Sequence, residues 1–222
     1  MNPPRLLAVS DLANLRVALE DWLAELVACG VDGLWLRERT LPDQQLLAVA
    51  ERCRRVLPPS VRLILSARVD LALLAAADGV HLPASGLPAR PLRALAERHG
   101  RSLLLGRSTH SLEEVRAARE EGLDYVSFGP VFPTPSKAEY GPPRGLAELG
   151  RAVALGLPVI ALGGIAAEHG AVLRQAGVAG LAAQRAFSSA ASAVPLIRAF
   201  TGLSAADDSE GVVQSPDLWS PR

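Results

Sequence analysis

RLILSARVDLALLAAADGVHL, residues 62–82, contains two short apolar runs on either side of a helix-like segment. The runs RLILSA from Arg62 and GVHL from Gly79 are nearly continuous in apolar residues, which is typical of parallel strands covered on both faces. Residues 69–75 between them predict a short helix. The stretch therefore predicts a strand–helix–strand unit.

The same alternation extends in both directions along the chain. Six further apolar runs begin at Arg5, Gly33, Ser102, Tyr125, Pro158 and Gly180. Further helix candidates span residues 14–29, 42–56, 88–98, 111–121, 146–155, 168–175 and 188–200. Eight strands alternating with eight helices predict an α/β fold of the (β/α)8 TIM-barrel type. An open doubly wound sheet is the alternative, but its usual GxGxxG turn after the first strand reads SDLANL here.

Two helix starts carry recognisable signals. The sequence SLEE from Ser111 matches a capping box, with Glu114 three residues after the capping serine. Thr40 precedes the helix predicted at 42–56 and is a candidate cap for it.

The composition is that of a globular protein without an excess of basic residues. Of the 222 residues, 49% are hydrophobic and 21% are charged, which is enough to bury a large aliphatic core. The 23 basic and 23 acidic residues balance, which argues against a nucleic-acid partner because such a partner needs a basic stripe. Cys29 and Cys53 have no CxxC pairing, so we expect reduced core thiols.

We predict one domain over residues 1–200 and a flexible tail over 201–222, where small, polar and acidic residues dominate. The start of the chain has no signal-peptide pattern. The longest uncharged apolar stretch, residues 152–167, is interrupted by Gly and Pro and is too short for a membrane span. We therefore expect a cytoplasmic protein without a membrane partner, and homo-oligomer formation stays open.

In a TIM barrel the active site lies at the carboxyl ends of the strands. The residues that follow the predicted strands are mostly cations and hydroxyls, with one acid: Arg37, Glu38, Arg39, Ser66, Arg68, Ser85, Arg107, Ser108, His110, Gln184 and Arg185. This ring predicts an anionic ligand.

Phosphate is the anion that the last two loops favour. Gly163 and Gly164 lack Cβ atoms, so their N–H groups can approach an oxyanion closely, although a glycine pair can also serve only as a tight turn. Arg185 ends an apolar strand, where it predicts either a phosphate contact or a structural salt bridge.

The loop after the sixth strand reads GPVFPTPSK, residues 129–137. Its prolines fix the backbone, Thr134 and Ser136 supply hydroxyl donors, and Lys137 supplies a positive charge. A rigid loop of this kind suits a phosphate or diphosphate. A merely rigid surface loop is the alternative.

The motifs DGVHLPAS at 78–85, GRSTHSLEE at 106–114, DYVSFGPVFPTPSK at 124–137 and PVIALGGI at 158–165 resemble those of the thiamine phosphate synthase superfamily, and within it the TenI-type thiazole tautomerases. The resemblance implies a (β/α)8 barrel that acts on a thiazole phosphate. It implies pyrimidine-diphosphate contacts by five residues: Arg37, Ser108, Thr134, Ser136 and Lys137. It also implies a thiazole-phosphate loop at Gly163 and Gly164. The family pattern has Ser at the position where this chain has Arg185.

The chain departs from both branches of that family. The synthase pattern has Asn-Asp where this chain has Ser66-Ala67, and it has a second Asp where this chain has Gly86. In the family, those two aspartates hold Mg²⁺. It also has Gln where this chain has Trp35. The tautomerase pattern has His where this chain has Pro130, which is the residue of the synthase pattern. The LPAS and GRSTHSLEE segments favour the tautomerase branch, and the missing magnesium ligands argue against a synthase. The missing ligands and the missing His also favour a non-catalytic protein.

We therefore expect a TenI-like isomerase that carries out a metal-free proton shift on a carboxythiazole phosphate. Its partner would be a small phosphorylated thiazole, with no cofactor. His81 is the candidate acid/base, although a hydrogen-bonded structural histidine is the alternative. Gln184 and Arg185 are further substrate contacts. The alternatives are a thiamine phosphate synthase, which would need Mg²⁺, and a non-catalytic regulatory protein that binds a phosphorylated ligand.

Overall fold

The structure is a computed structural model that describes residues 2–134 and 142–203. Ser136 and Lys137 lie outside the described residues, as do residues 204–222 of the expected tail. No helix in the described part of the chain is long and apolar enough to cross a membrane.

Eight parallel strands close into a barrel in chain order, and the last strand pairs with the first. The strands are β1 (Leu6–Val9), β2 (Gly33–Leu36), β3 (Arg62–Ser66), β4 (Gly79–Leu82), β5 (Leu104–Thr109), β6 (Tyr125–Phe128), β7 (Val159–Leu162) and β8 (Gly180–Ala183). This confirms the predicted α/β (β/α)8 TIM barrel and rules out the open sheet.

Eight helices surround the strands in the described residues. They are α1 (Leu19–Ala28), α2 (Asp43–Val56), α3 (Val69–Leu74), α4 (Ala89–Arg98), α5 (Leu112–Glu120), α6 (Gly145–Val153), α7 (Gly170–Gln175) and α8 (Ala190–Thr201). Short 3-10 turns at Leu12–Asn14, Ala167–His169 and Arg185–Phe187 occupy three of the loops.

The strands are apolar on both faces because each face packs against a different core. Leu6 and Ala8 contact the outer core between the sheet and the helices, whereas Leu7 and Val9 point into the barrel. The barrel interior also contains Trp35, Ile64, Leu104, Tyr125, Ile160 and Ala182. This double burial explains the nearly continuous apolar runs of the sequence.

The first helix starts later than the predicted residue 14. Residues 12–14 form a 3-10 turn in which the Asp11 carboxylate accepts hydrogen bonds from the Asn14 amide. The Glu38 carboxylate accepts another from the Leu12 N–H, at 3.1 Å. These side-chain bonds offer the backbone an alternative to the helix, so α1 begins only at Leu19.

The two predicted caps have different outcomes. The Ser111 hydroxyl accepts a hydrogen bond from the Glu114 N–H at 3.2 Å, which confirms that cap. The Glu114 carboxylate accepts from the His110 N–H and not from the Ser111 N–H, so the serine cap forms without the second bond of the predicted capping box. Thr40 does not cap α2, because Pro42 occupies the capping position and its carbonyl accepts from the Leu46 N–H.

Candidate active site

A cavity of about 360 Å³ opens at the carboxyl ends of the strands. Seven of the residues predicted from the sequence to contact substrate line it: Arg37, Ser108, Thr134, Gly163, Gly164, Gln184 and Arg185. Apolar side chains, among them Val9, Trp35 and Leu162, form the rest of the wall. The fold thus brings residues from six loops and strand ends together around one space, and their individual roles stay predictions.

The two glycines adopt backbone angles that favour glycine and pack against the loop after β6. Their φ angles are +96° at Gly163 and +68° at Gly164. A Cβ atom at Gly163 would lie 2.7 Å from Pro130, and one at Gly164 would lie 2.6 Å from the Phe132 and Pro133 carbonyl oxygens. The packing and the backbone angles of this turn therefore favour glycine at both positions.

The turn at Gly163 and Gly164 and the end of β8 provide main-chain hydrogen-bond donors at the cavity wall. The Gly163 carbonyl accepts from the Phe132 N–H at 3.0 Å. Within residues 2–134 and 142–203, no main-chain carbonyl accepts from the N–H groups of Gly163, Gly164 or Gln184. Main-chain donors that lack a protein partner at a cavity wall suit an anionic ligand.

The end of β8 is tied to the neighbouring loops. The Asp11 carboxylate accepts a hydrogen bond from the Gln184 side-chain amide. The Arg185 guanidinium is exposed and donates to the Thr134 hydroxyl at 3.4 Å. No described carboxylate forms a salt bridge with Arg185, so its geometry favours the ligand-contact interpretation over the structural one.

The sequence did not single out the hydrogen bonds that position Arg37. The Ser10 hydroxyl donates to the Glu38 carboxylate at 2.6 Å and accepts from the Arg37 N–H at 2.9 Å. These bonds connect the ends of β1 and β2 and hold the backbone of Arg37 at the cavity. Glu38, the acid of the predicted ring, is thus a structural residue of these loops.

His81 lies below the cavity inside the barrel, with only 1% of its surface exposed. Its Nδ1 atom lies 3.0 Å from the Tyr125 hydroxyl, and its Nε2 atom lies 3.1 Å from both the Ser108 and Ser127 hydroxyls. Its ring centroid lies 4.0 Å from that of Trp35. Of these partners, Ser108 and Trp35 line the cavity.

Burial, together with the nearby Arg37 charge, lowers the pKa of His81 to about 3. The imidazole is therefore neutral at physiological pH. These contacts match the alternative of a hydrogen-bonded structural histidine.

His81 should make folding sensitive to acid. Its unfolded pKa near 6.5 exceeds the folded value, so the unfolded chain binds the extra proton and stability falls as the pH drops below about 6.5. Between pH 7.5 and 5.0, His81 should account for a loss of about 2 kcal/mol in the free energy of unfolding. Urea titrations of the native protein and of His81→Gln at both pH values measure this; an identical pH dependence in the two proteins would contradict it.

The magnesium ion implied for a synthase does not fit the residues at its expected positions. Ser66 accepts a hydrogen bond from the Trp35 indole N–H at 2.8 Å, and Ala67 and Gly86 have no ligand atoms in their side chains. Asp11 is the acid of the described cavity wall, and it is bonded to Gln184. The described residues contain no cluster of three His, Cys, Asp or Glu side chains that could hold a metal.

The contacts of Tyr125 and Ser127 with His81, beneath the cavity, were not predicted. The signal that could have found them is the strand alternation, because Ser127 pairs with Ser108 and His81 pairs with Gly106 across adjacent strands. These registers place the polar groups on the inner face of the barrel.

The thiamine monophosphate synthase family model matches residues 6–187. A thiamine-phosphate synthase from Anaeromyxobacter dehalogenans is 42% identical over 151 residues, covering 68% of this chain and 67% of that protein. A thiamine-phosphate synthase from Methanoculleus marisnigri is 39% identical over 163 residues, covering 72% and 76%. The solved thiamine phosphate pyrophosphorylase from Pyrococcus furiosus superposes with a TM-score of 0.78 at 25% identity, covering 89% of this chain and 96% of that one.

These comparisons overturn the prediction of a TenI-like tautomerase. The relatives are named synthases, which are transferases, so the preference for an isomerase is wrong. That preference depended on the LPAS and GRSTHSLEE segments and on the carboxylates missing at Ser66, Ala67 and Gly86. Pro130, in the FGPVF segment, was already the residue of the synthase pattern.

Proposed function

The chain belongs to the thiamine monophosphate synthase family, and we propose that it is a thiamine phosphate synthase that joins hydroxymethylpyrimidine diphosphate to thiazole phosphate. The observation that carries this proposal is a cavity lined by both cationic side chains and main-chain amide donors. One group of these residues lies at the ends of β2 and β5: Arg37, Arg39 and Ser108. The other group lies at the ends of β7 and β8: Gly163, Gly164, Gln184 and Arg185.

The reaction needs two anion sites but no redox step. The bond between the pyrimidine methylene carbon and the diphosphate oxygen breaks, and the oxygen keeps the electron pair. The lone pair of the thiazole nitrogen forms the new carbon–nitrogen bond. The products are thiamine phosphate, with its positive charge on the thiazolium ring, and inorganic diphosphate.

Two groups of cavity-lining residues suit these two anions. The N–H groups of Gly163 and Gly164, with the Arg185 side chain, would hold the thiazole phosphate. Arg37 and Ser108 would hold the diphosphate, because charge develops on this group as the carbon–oxygen bond breaks. Arginines next to an apolar wall can stabilise that charge, since the cavity excludes part of the water.

The indole of Trp35 forms an aromatic part of the cavity wall. Its N–H donates to the Ser66 hydroxyl at 2.8 Å, and this hydrogen bond fixes the orientation of the ring. A planar pyrimidine or thiazole ring can stack on such a surface. Since the residues at the magnesium positions do not fit a metal, the protein side chains would carry the countercharge of the diphosphate.

Product formation by the purified protein tests this proposal. We expect thiamine phosphate, quantified by mass spectrometry, when both substrates are supplied. Arg37→Gln should lower kcat/KM at least about tenfold, because it removes a charge needed most in the transition state. Arg116→Gln is the control, since Arg116 is exposed on α5 away from the cavity, and it should leave the rate unchanged. Equal rates for all three proteins would contradict the role of Arg37.

A non-catalytic protein that binds a phosphorylated ligand is the second candidate. It is favoured by Ser66, Ala67 and Gly86, which lack the carboxylates that magnesium prefers. This candidate predicts binding of thiazole phosphate in a calorimeter without any product when both substrates are present. Product at a rate above the protein-free mixture rules it out.

A further inference from the structure

A chain of hydrogen bonds runs from the barrel interior to the wall of the cavity. It begins at the Tyr125 hydroxyl, passes through both nitrogens of His81, and ends at the Ser108 and Ser127 hydroxyls. Tyr125, His81 and Ser127 are at most 1% exposed, whereas Ser108 lines the cavity. Ser108 is thus the member of the chain that a ligand can reach.

The chain can be arranged in two ways. A neutral imidazole has one N–H donor and one acceptor nitrogen, so either Nδ1 or Nε2 of His81 carries the hydrogen. In the first arrangement Tyr125 donates to Nδ1, and Nε2–H faces the two serines. In the second, Nδ1–H donates to the Tyr125 oxygen, and Nε2 accepts from a serine.

Burial of Tyr125 decides between them. His81 is the hydrogen-bond partner that the described residues provide for the Tyr125 hydroxyl. In the second arrangement the phenol hydrogen would have no described acceptor, in a place with no exposed surface. Burial also raises the pKa of Tyr125, so the phenol keeps its proton. In the first arrangement, both the Tyr125 hydroxyl hydrogen and the imidazole N–H of His81 have a hydrogen-bond acceptor.

With the hydrogen on Nε2, both serine oxygens act as acceptors, each 3.1 Å from the nitrogen. The hydroxyl hydrogen of Ser108 then cannot point at His81. Since Ser108 lines the cavity, this hydrogen is available to an oxygen of the ligand.

We propose that Tyr125 and His81 are positioning residues that fix the Ser108 hydroxyl as a hydrogen-bond donor to an anionic oxygen of the ligand. This inference rests on the proposed function, because it concerns the same cavity. It assigns His81 a role through Ser108 rather than at the reacting atoms. A phosphate or diphosphate oxygen is the matching acceptor, and Arg37 lines the same wall.

The protonation of His81 can be read directly by ¹⁵N NMR on protein labelled at histidine. Chemical shifts and two-bond couplings distinguish the two neutral forms, and the signals of His81 are those lost in His81→Gln. We expect the Nε2–H form between pH 6 and 8. The Nδ1–H form, or a charged ring, would overturn the proposal without any ligand being involved.

Ser108 and Ser127 form a matched pair for the binding test. Both contact Nε2 at the same distance, but only Ser108 of the two lines the cavity. With inorganic diphosphate as the calorimetric probe, Ser108→Ala should weaken binding about tenfold, or about 1.4 kcal/mol. Ser127→Ala should change it less than twofold. Tyr125→Phe should weaken it several-fold, because it removes the donor that fixes the His81 tautomer.

The outcomes separate this inference from the proposed function. Binding by the native protein with equal losses in Ser108→Ala and Ser127→Ala would overturn the inference alone. No binding of diphosphate by the native protein would count against both. Thermal unfolding of each variant shows whether a loss of binding reflects a loss of folding, and rescue by Ser108→Thr, which keeps the hydroxyl, would support the donor role.

Discussion

Gly106→Ala is expected to lower the free energy of unfolding by about 3 kcal/mol, since overpacking of a tight interior is strongly destabilising. A Cβ atom at Gly106 would lie 2.1 Å from the Tyr125 ring, inside the barrel. Neither partner can move easily, because Gly106 is in β5 and Tyr125 is held by His81 at 3.0 Å. Denaturant titration measures the loss.

The control for this variant is Gly150→Ala. Gly150 lies within α6, and a Cβ atom there would have no neighbour within 4 Å. Removing a glycine from a helix interior should stabilise the protein by about 0.5–1 kcal/mol. If Gly106→Ala were as stable as Gly150→Ala, the packing described for the barrel interior would be wrong.

The second large effect is expected in ligand binding. Gly164→Ala should weaken the binding of thiazole phosphate at least about tenfold. The residue has a φ angle of +68°, where alanine is strained, and its Cβ atom would lie 2.6 Å from the Phe132 and Pro133 carbonyl oxygens. The loop after β6 must then shift, and the N–H groups at the cavity wall shift with it. Calorimetry measures the change in Kd.

Gly177→Ala is the matched control. Gly177 has a similar φ angle of +74°, but the nearest atom to its Cβ would be a methyl of Val153, at 3.6 Å. It follows α7 and does not line the cavity. This variant should carry the strain of a positive φ and keep native affinity. Equal affinities for Gly164→Ala and the native protein would show that the turn at Gly163 and Gly164 does not shape the anion site.

The sequence predicted the fold well because both faces of each strand are buried. Apolar runs such as RLILSA and GVHL could be located without knowing their neighbours, and the alternation with helices left little choice of topology. The start of α1 was less predictable. It depends on Glu38, which accepts from the Leu12 N–H although it lies 26 residues away in the chain.

The cavity wall was also largely predictable, because residues directly after parallel strands meet at one end of the barrel. The hydrogen-bond chain beneath it was not. Tyr125 and Ser127 belong to an apolar run and differ little from core residues in sequence. Their partnership with His81 depends on the register between β4, β5 and β6, which the residue types alone do not specify.

The functional branch was the part that sequence reasoning placed wrongly. The absence of carboxylates at Ser66 and Gly86 is a local feature. The similarity to the synthases extends over residues 6–187 and is the stronger indication of the reaction. The Trp35 indole N–H donates to the Ser66 hydroxyl, so two of the departing positions contact each other directly. A changed metal position therefore need not mean a changed reaction, since arginines can supply positive charge at the same cavity.

A crystal structure of the protein with thiazole phosphate would show where the anion binds. We expect the phosphate to contact the N–H groups of Gly163 and Gly164, with the Arg185 guanidinium beside it and the thiazole ring next to Trp35. A phosphate bound elsewhere on the barrel, or one held through a divalent ion coordinated by protein carboxylates, would contradict it.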